Sequence, residues 1–469
     1  MRLLTFLLAL LAIPASAVPM SSVESLLPPG SQLSLVVDDL GTSKATVRKN
    51  ADRLVPPAST LKLATALAAT LALPEEFRFN TTLELSGNNV IFRFSGDPTL
   101  TRTNLETLVS NLKKRGIKQI TGDIILDTSI FSGYERAPGW PWDILGVCYS
   151  APSSAITVDH NCVQGAIYSE EGKQLTRVHV PSFQNITVST DAAAVTKEQQ
   201  KSSHCDLELY YDNQNTYRLS GCLTNRKKPL PLKFAVINPD KFASGIIHSA
   251  LEKNGIQLAG AIKTGKAPSG RILATHQSNP LPALIREMVK DSDNLIADNL
   301  LKTLGSQIFH QPGSFANGSE AVKKVLEEKA GILLKNAVIV DGSGLSRNNR
   351  VSAHQLSQIV SYIYHHPKLG LMGTLPVSGV DGTLKYRQSL RQEPVKGRVQ
   401  AKSGSLYGTY NLAGIVKTEA GKDVLVIQMV SDYFPERRED DSLKNVPSPI
   451  EQFERELYRA VINSTLTLH

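Results

Sequence analysis

The chain has 469 residues, 41% of them hydrophobic and 20% charged, with a formal net charge of +8. That length allows two or three domains, and that apolar share excludes a disordered chain. The positive balance suits anionic surfaces such as membrane lipids or wall polymers, but without a dense basic run or a binding motif it does not point to nucleic acid.

The N-terminus reads MRLLTFLLALLAIPASA. One arginine precedes an apolar run from Leu3 to Ile13, too short for a stable membrane anchor, and Ala15-Ser16-Ala17 offers a small-x-small cleavage site. Residues 1–17 therefore read as a secretory signal peptide cleaved after Ala17, and the mature chain as a soluble protein of an exported compartment. Such a compartment permits disulfides. Cys148, Cys162, Cys205 and Cys222 can pair in three ways, and the nearest-neighbour pairs, Cys148–Cys162 and Cys205–Cys222, would close short loops. Zinc is the rival use of these thiols, but CxxC spacing is missing and the ten histidines are scattered, so neither metal nor cofactor is expected.

From Leu54 the sequence runs LVPPASTLKLATALAATLALPEEF. Two prolines stop an extended segment, Ser59 opens an apolar helix, and Pro74 ends it. Lys62 is the only charge between Leu61 and Leu73. Polar and apolar residues then alternate around turn signals in FRFNTTLELSGNNVIFRFSGDPTL, as in a β-hairpin. LETLVSNLKKRGIKQITGDIILDTSIF follows as an amphipathic helix, a loop and a strand. The middle third is rich in short strands and turns. Helical patterning returns at ALIREMVKDSDNLIADNLLKTLGSQIF and continues to SAHQLSQIVSYIYHH. A final pair of strands, RVQAKSGSLYGTYNLAGIVKT and DVLVIQMVSDY, precedes a terminal helix in which Phe453, Leu457 and Val461 recur at helical spacing. The simplest organisation is an α/β domain, residues 18–78 and 271–469, split by a β-rich insertion of residues 79–270. The insertion reads as two subdomains, one nested near 165–235.

Ser59 and Lys62 stand three residues apart on a helix and so share one face. At a helix start, N–H groups and the dipole favour developing negative charge on Ser59. A capping role would explain the serine but not the lysine. A cation in the first turn opposes the dipole, and desolvation there frees an amine to act as base on the hydroxyl. A second Ser-x-x-Lys, Ser110 to Lys113, lies on a charged amphipathic helix and reads as solvated. Ser292-Asp293-Asn294 lies between two helical segments, where a second hydroxyl and an amide can be fixed near the nucleophile.

Two lysine triplets compete for the remaining role. Lys263-Thr264-Gly265 ends a short apolar run and dissolves into loop chemistry. Lys402-Ser403-Gly404 instead heads a run fit for a strand, with a partner strand after it. A strand edge beside the nucleophile offers a backbone N–H to an oxyanion, Ser403 supplies a hydroxyl, and the small Gly404 lets substrate lie against it. The downstream copy is the expected one.

Ser-x-x-Lys, Ser-Asp-Asn and Lys-Ser-Gly, in that order, resemble the motifs of penicillin-binding proteins and serine β-lactamases. The long separation of Ser59 from Ser292 is similar to that of class C low-molecular-mass penicillin-binding proteins. These are D-alanyl-D-alanine carboxypeptidase/endopeptidases of the DacB type (penicillin-binding protein 4), with a large insertion between the first two motifs. LPPG, PPAST, GDPTL, DTSIF, APGWPW, KDSDNLIAD, DGSGLSR and GTYNLAG extend the likeness over nearly the whole mature chain. The resemblance implies a β-lactamase/transpeptidase-like fold, an antiparallel sheet flanked by helices. It implies periplasmic hydrolysis of peptidoglycan stem peptides and D-alanyl–diaminopimelate cross-links through an acyl-enzyme, blocked by β-lactams, with at most peripheral membrane or wall association.

On that scheme Ser59 is the nucleophile and Lys62 its base, while Ser292 with Lys402 relays a proton to the departing amine. Asn294 holds a substrate amide, Ser403 the terminal carboxylate, and the N–H groups of Ser59 and Ser405 the oxyanion. Asp159 pairs with the free amine of diaminopimelate and Arg347 with its carboxylate. Tyr407 stands where a glutamine would be expected. A β-lactamase would need rapid hydrolysis of the same acyl-enzyme, and no Glu-containing deacylation motif is present. A non-catalytic wall-binding scaffold would not need Ser59, Lys62, Ser292, Asn294 and Lys402 intact.

Overall fold

The computed structural model describes residues 17–41, 44–169, 172–436 and 446–468. The leader read at the N-terminus lies outside the described residues apart from Ala17, and no helix among them is long and apolar enough to cross a membrane.

Apolar segments from both ends of the chain build one sheet. Five antiparallel strands run in the order Val399–Leu406, Thr409–Lys417, Asp423–Ser431, Gln32–Asp39 and Lys44–Lys49. Both faces are covered, so the central strands read as near-continuous apolar runs. Leu425, Ile427 and Met429 enter a core with the helices Lys62–Ala72, Leu281–Lys290, Asn294–Phe309, Phe315–Ala330 and Ala353–His365. Val426 and Val430 point the other way, onto the terminal helix Pro449–Ile462, where Phe453 and Leu457 are fully buried. The helix Lys62–Ala72 has no polar face over Lys62–Ala69 because it packs against the other four helices of its layer. This is the helix-flanked antiparallel sheet that the resemblance implies.

The chain leaves this domain at Phe79 and returns at Ser278. There the Ser278 N–H donates to the Phe79 carbonyl and the Phe79 N–H to Ser278 Oγ, each at 3.0 Å. Between these residues lies a mixed five-stranded sheet in the order Ile262–Thr264, Ile124–Asp127, Asn89–Arg93, Asn80–Ser86 and Arg271–Gln277. Helices Arg102–Lys114 and Pro239–Asn254 bury Leu105, Leu108, Phe242 and Ile246 against it. Smaller sheets further out surround Tyr217 and Phe234. The disulfides are Cys148–Cys162 and Cys205–Cys222.

Three expectations need correction. Arg271–Gln277 pairs with Asn80–Leu85, so the boundary expected at residue 271 falls inside the inserted sheet and moves to the end of that strand. The insertion is α/β rather than simply β-rich: Pro239–Asn254 carries a helix start and stop in its sequence. Asn238 accepts from the Lys241 N–H, Pro239 holds the first position, and Gly255 sits at φ +67°. Finally, the first of the expected closing strands is a hairpin, turned at Tyr407-Gly408 with Gly408 at φ +72°.

Candidate active site

Ala58–Leu61 form one 3-10 turn that leads into the helix Lys62–Ala72. Ala58 sits at φ +48°, a strained value for a residue with a Cβ. A loop glycine makes room for it: a Cβ on Gly344 would come within 1.9 Å of the Ala58 carbonyl oxygen. No side chain caps either the turn or the helix, so Ser59 is free of the capping role.

Instead, Lys62 Nζ donates to Ser59 Oγ at 3.0 Å, to Asn294 Oδ1 at 2.6 Å and to the Ser343 carbonyl at 2.8 Å. Three acceptors match the three N–H directions of an ammonium group. Burial pulls Lys62 down to about 8, against the opposing pull of Asp298, Asp293 and Asp341. Roughly a tenth of this lysine is then neutral at pH 7, enough to act as a base.

Buried carboxylates hold the loop that supplies the Ser343 carbonyl. Asp298, one turn beyond Asn294, accepts from the N–H groups of Gly342 at 2.8 Å and Ser343 at 2.9 Å. Asp341 accepts from the N–H groups of Gly344 and Ser346, from Asn349 Nδ2 and from Trp140 Nε1. Burial, reinforced by Asp341, raises Asp298 well above the usual carboxylate range.

A second serine–lysine pair faces the first. Asp293, not Ser292, caps the helix Asn294–Phe309, its Oδ1 accepting from the Ile296 N–H at 2.8 Å. Ser292 is left at φ +64°, with its hydroxyl 2.9 Å from Lys402 Nζ. Lys402 also donates to the Ser403 carbonyl at 2.8 Å. Burial drives Lys402 well below the ordinary lysine range, with Lys62 and Arg387 adding to the shift. Ser403 Oγ shares a 2.7 Å hydrogen bond with Thr383 Oγ1.

Asn294 and Gly404 each make contacts within the protein as well. The Asn294 amide is held at both ends, Oδ1 by Lys62 and Nδ2 by the Tyr149 carbonyl at 2.7 Å, which orients the lysine and leaves one N–H of the amide for a further acceptor. At Gly404 a Cβ would meet Pro57 O at 2.9 Å and the nitrogens of Ser59 and Thr60 at 3.0 Å. The close approach of the nucleophile's own turn requires a glycine here.

Ser59, Ser292, Asn294, Arg347, Ser405 and Tyr407 line one pocket of about 490 Å³. Its outer wall comes from the insertion, through Asp143, Ile144 and Tyr149. Asp159 lies outside: its Oδ1 accepts from the Arg102 N–H at 3.0 Å, at the start of a neighbouring helix. The carboxylate in the pocket is that of Asp143, directly after the APGWPW segment. Asp143, Tyr149, Ser343, Asp298 and Asp341 were not picked out from sequence, although Asp298 lies in KDSDNLIAD and Asp341 and Ser343 in DGSGLSR.

The rival motifs lie elsewhere. Lys263 is on a short strand rather than a loop, at the edge of the inserted sheet, and pairs with Asp123 at 2.6 Å. Ser110 donates to the Thr107 carbonyl on an exposed helix face. Among the described residues His160, Glu287 and Asp293 bring metal-ligand atoms within 4.8 Å of one another, with Asp293 also serving as the helix cap.

Comparison with known proteins agrees with this geometry. Residues 23–457 match the model of the D-Ala-D-Ala carboxypeptidase 3 (S13) family. The chain is 37% identical over 449 residues to the D-alanyl-D-alanine carboxypeptidase DacB of Haemophilus influenzae, covering 93% of this chain and 92% of that protein. It is 26% identical over 420 residues to a D-alanyl-D-alanine carboxypeptidase of an Actinomadura species, covering 84% and 76%. The crystal structure of penicillin binding protein 4 from Haemophilus influenzae superposes with a TM-score of 0.88 at 37% identity, covering 94% of this chain and 99% of that one. A complex of that protein with a β-lactam gives a TM-score of 0.82 at 35% identity, over 94% and 99%. The chain belongs to the D-Ala-D-Ala carboxypeptidase 3 (S13) family and is a serine-type D-Ala-D-Ala carboxypeptidase.

Proposed function

We propose that Ser59, Lys62, Ser292 and Lys402 carry the reaction on peptidoglycan stem peptides. Ser59 Oγ attacks the carbonyl of the penultimate D-alanine while its proton passes to neutral Lys62. The N–H groups of Ser59 and Ser405 receive the oxyanion. The C–N bond then breaks, and the departing amine takes a proton through Ser292 and Lys402. The proton taken by Lys62 is the one relayed to that amine, which leaves Lys62 neutral again. Water then hydrolyses the ester on Ser59, its proton passing to Lys62 and on to the released Ser59 Oγ. Ser403 and Lys402 hold the terminal carboxylate. Arg347 and Asp143, the latter in place of Asp159, offer opposite charges to the carboxylate and ammonium of a diaminopimelate side chain.

The same pocket accepts D-alanyl–diaminopimelate cross-links, which adds endopeptidase action, and β-lactams acylate Ser59. The leader sequence supports a periplasmic location. What most directly supports the reading is the pair of contacts that place one desolvated lysine on each of two serine hydroxyls, Lys62 on Ser59 and Lys402 on Ser292.

Intact mass after incubation with benzylpenicillin tests it. The expected result is a long-lived adduct on the wild type that is absent from Ser59→Ala. Rapid drug turnover without an adduct would mark a β-lactamase, and neither adduct nor turnover a non-catalytic scaffold.

A further inference from the structure

The reaction pocket does not end at Tyr407. Beyond that side chain a second groove of about 560 Å³ is lined by Arg53, Arg347, Arg350, Tyr407, Asp432 and Phe434, among others. It shares Arg347, Leu406 and Tyr407 with the reaction pocket, so one surface leads into the other. Tyr407 is 79% exposed and Phe434 55%. Their rings lie 5.2 Å apart, and the Arg347 guanidinium is 5.9 Å from the centre of the Tyr407 ring. Tyr407, which stands where a glutamine would be expected, is thus the shared wall of two compartments.

The second compartment is electropositive. Three guanidinium groups line it against the single carboxylate of Asp432. Among the described residues none of the three has a carboxylate partner: Arg53 is held by the Gln32 side chain. Arg350 donates to the carbonyls of Arg347 at 2.6 Å and Asn349 at 2.8 Å. These bonds orient the groups without neutralising them. Planar donors left unpaired around one groove suit a carboxylate.

The strand Val399–Leu406 gives the groove a direction. Ser403 marks the C-terminal end of the substrate and Ser405, two residues of strand or about 7 Å further on, the reacting carbonyl, while Tyr407, in the turn that follows the strand, stands on the acyl-donor side. The groove beyond Tyr407 therefore receives residues upstream of the acylated D-alanine.

We propose that this groove is an anionic-peptide subsite: Arg53 and Arg350 bind a free carboxylate on the acyl-donor arm, upstream of the residue that faces Asp143 and Arg347. The enzyme then selects stem peptides whose upstream carboxylate is free over those in which it is amidated. This rests on the assignment of Ser59 and Ser403 given above.

The test compares two synthetic donors of the same length ending in D-Ala-D-Ala, one with a carboxylate and one with a carboxamide on the residue before the diaminopimelate. Wild-type kcat/KM is expected to favour the carboxylate donor by roughly ten-fold, as two partly exposed charge pairs would give. Arg53→Gln with Arg350→Gln should bring the two donors within about two-fold of each other. A short acyl-D-Ala-D-Ala donor and benzylpenicillin, which do not reach the groove, should react equally with both proteins. Equal use of the two long donors by the wild type, or a preference that survives in the double variant, overturns the subsite. The wild-type comparison needs no variant, so a misfolded variant does not shelter the proposal. Failure of the short donor and of penicillin labelling would instead remove the assignment of Ser59, and the subsite with it.

Discussion

Lys62 and Lys302 are both fully buried, and burial pulls each down to about 8. Their surroundings differ in kind. Lys302, on the helix Asn294–Phe309, donates to the carbonyls of Ser153 at 2.6 Å and Tyr134 at 2.9 Å, and lies 4.4 Å from the centre of the Phe315 ring. Each of these partners is a carbonyl or a ring, and none can give up a proton. It clamps the inserted region, which carries Ser153 and Tyr134, onto the main domain. Lys62 also has carbonyl-type partners in Asn294 and Ser343, but its third partner is the Ser59 hydroxyl, which opens on a pocket. A depressed lysine pKa thus records desolvation, and a reachable hydroxyl with access to substrate turns it into a base.

The widest separation between the two lysines should come from their removal. Lys62→Gln is expected to slow acylation by benzylpenicillin on the order of 10²- to 10⁴-fold, the range for a lost general base. Lys302→Met keeps the apolar stem and leaves two buried carbonyls without a donor, at about 2–4 kcal/mol of stability. Its acylation rate per folded molecule should stay within about two-fold of wild type. Stopped-flow acylation and thermal melts read both outcomes. A catalytic collapse in Lys302→Met with an unchanged Tm would erase the distinction.

The next contrast is in pH dependence. On the proposed mechanism only neutral Lys62 takes the proton of Ser59, and burial brings its pKa down to about 8. Acylation by benzylpenicillin should therefore rise about ten-fold per pH unit between 6 and 7 and level off above about 8. Lys302→Met should show the same profile, because Lys302 exchanges no proton with the reacting atoms. A wild-type profile flat from pH 6 to 8 would rule out Lys62 as the base.

Much of the cluster around Ser59 was legible because Ser59, Lys62, Ser292, Asn294 and Lys402 sit in short motifs with local logic. Ser59 and Lys62 share a helix face, and Ser292 precedes a helix whose cap, Asp293, lies within the motif. The supporting residues were not legible, because their roles depend on contacts between distant segments. Asp298 and Asp341 matter through a loop packed under Lys62, and Gly344 through the Ala58 carbonyl. Asp143 and Asp159 both lie in short 3-10 turns of the insertion, and only folding shows that the first lines the pocket while the second accepts from the Arg102 N–H at the start of a helix. The fold was read well where period and turn signals agreed. It was misread at Tyr407-Gly408, where strand-forming neighbours masked a turn, and at Arg271–Gln277, whose ladder partner lies near the start of the insertion.

The smallest contrast concerns the two disulfides. Cys148–Cys162 and Cys205–Cys222 span 14 and 17 residues, so each restricts the unfolded chain by a similar amount, about 3 kcal/mol in the chain-entropy view. Their positions are not equivalent. Cys148 adjoins Tyr149, whose carbonyl anchors Asn294 and whose side chain lines the pocket, whereas Cys222 lies in the strand Thr216–Thr224 of an outer sheet. Replacing either pair by serine should therefore lower the Tm comparably. The double variant at Cys148 and Cys162 alone should also raise KM for diaminopimelate-containing donors, by roughly three- to ten-fold, as its loosened wall lets Asp143 and Tyr149 drift. If both variants lost stability and neither changed KM, the insertion would be bracing the fold without shaping the pocket, and the role given to its wall would fail.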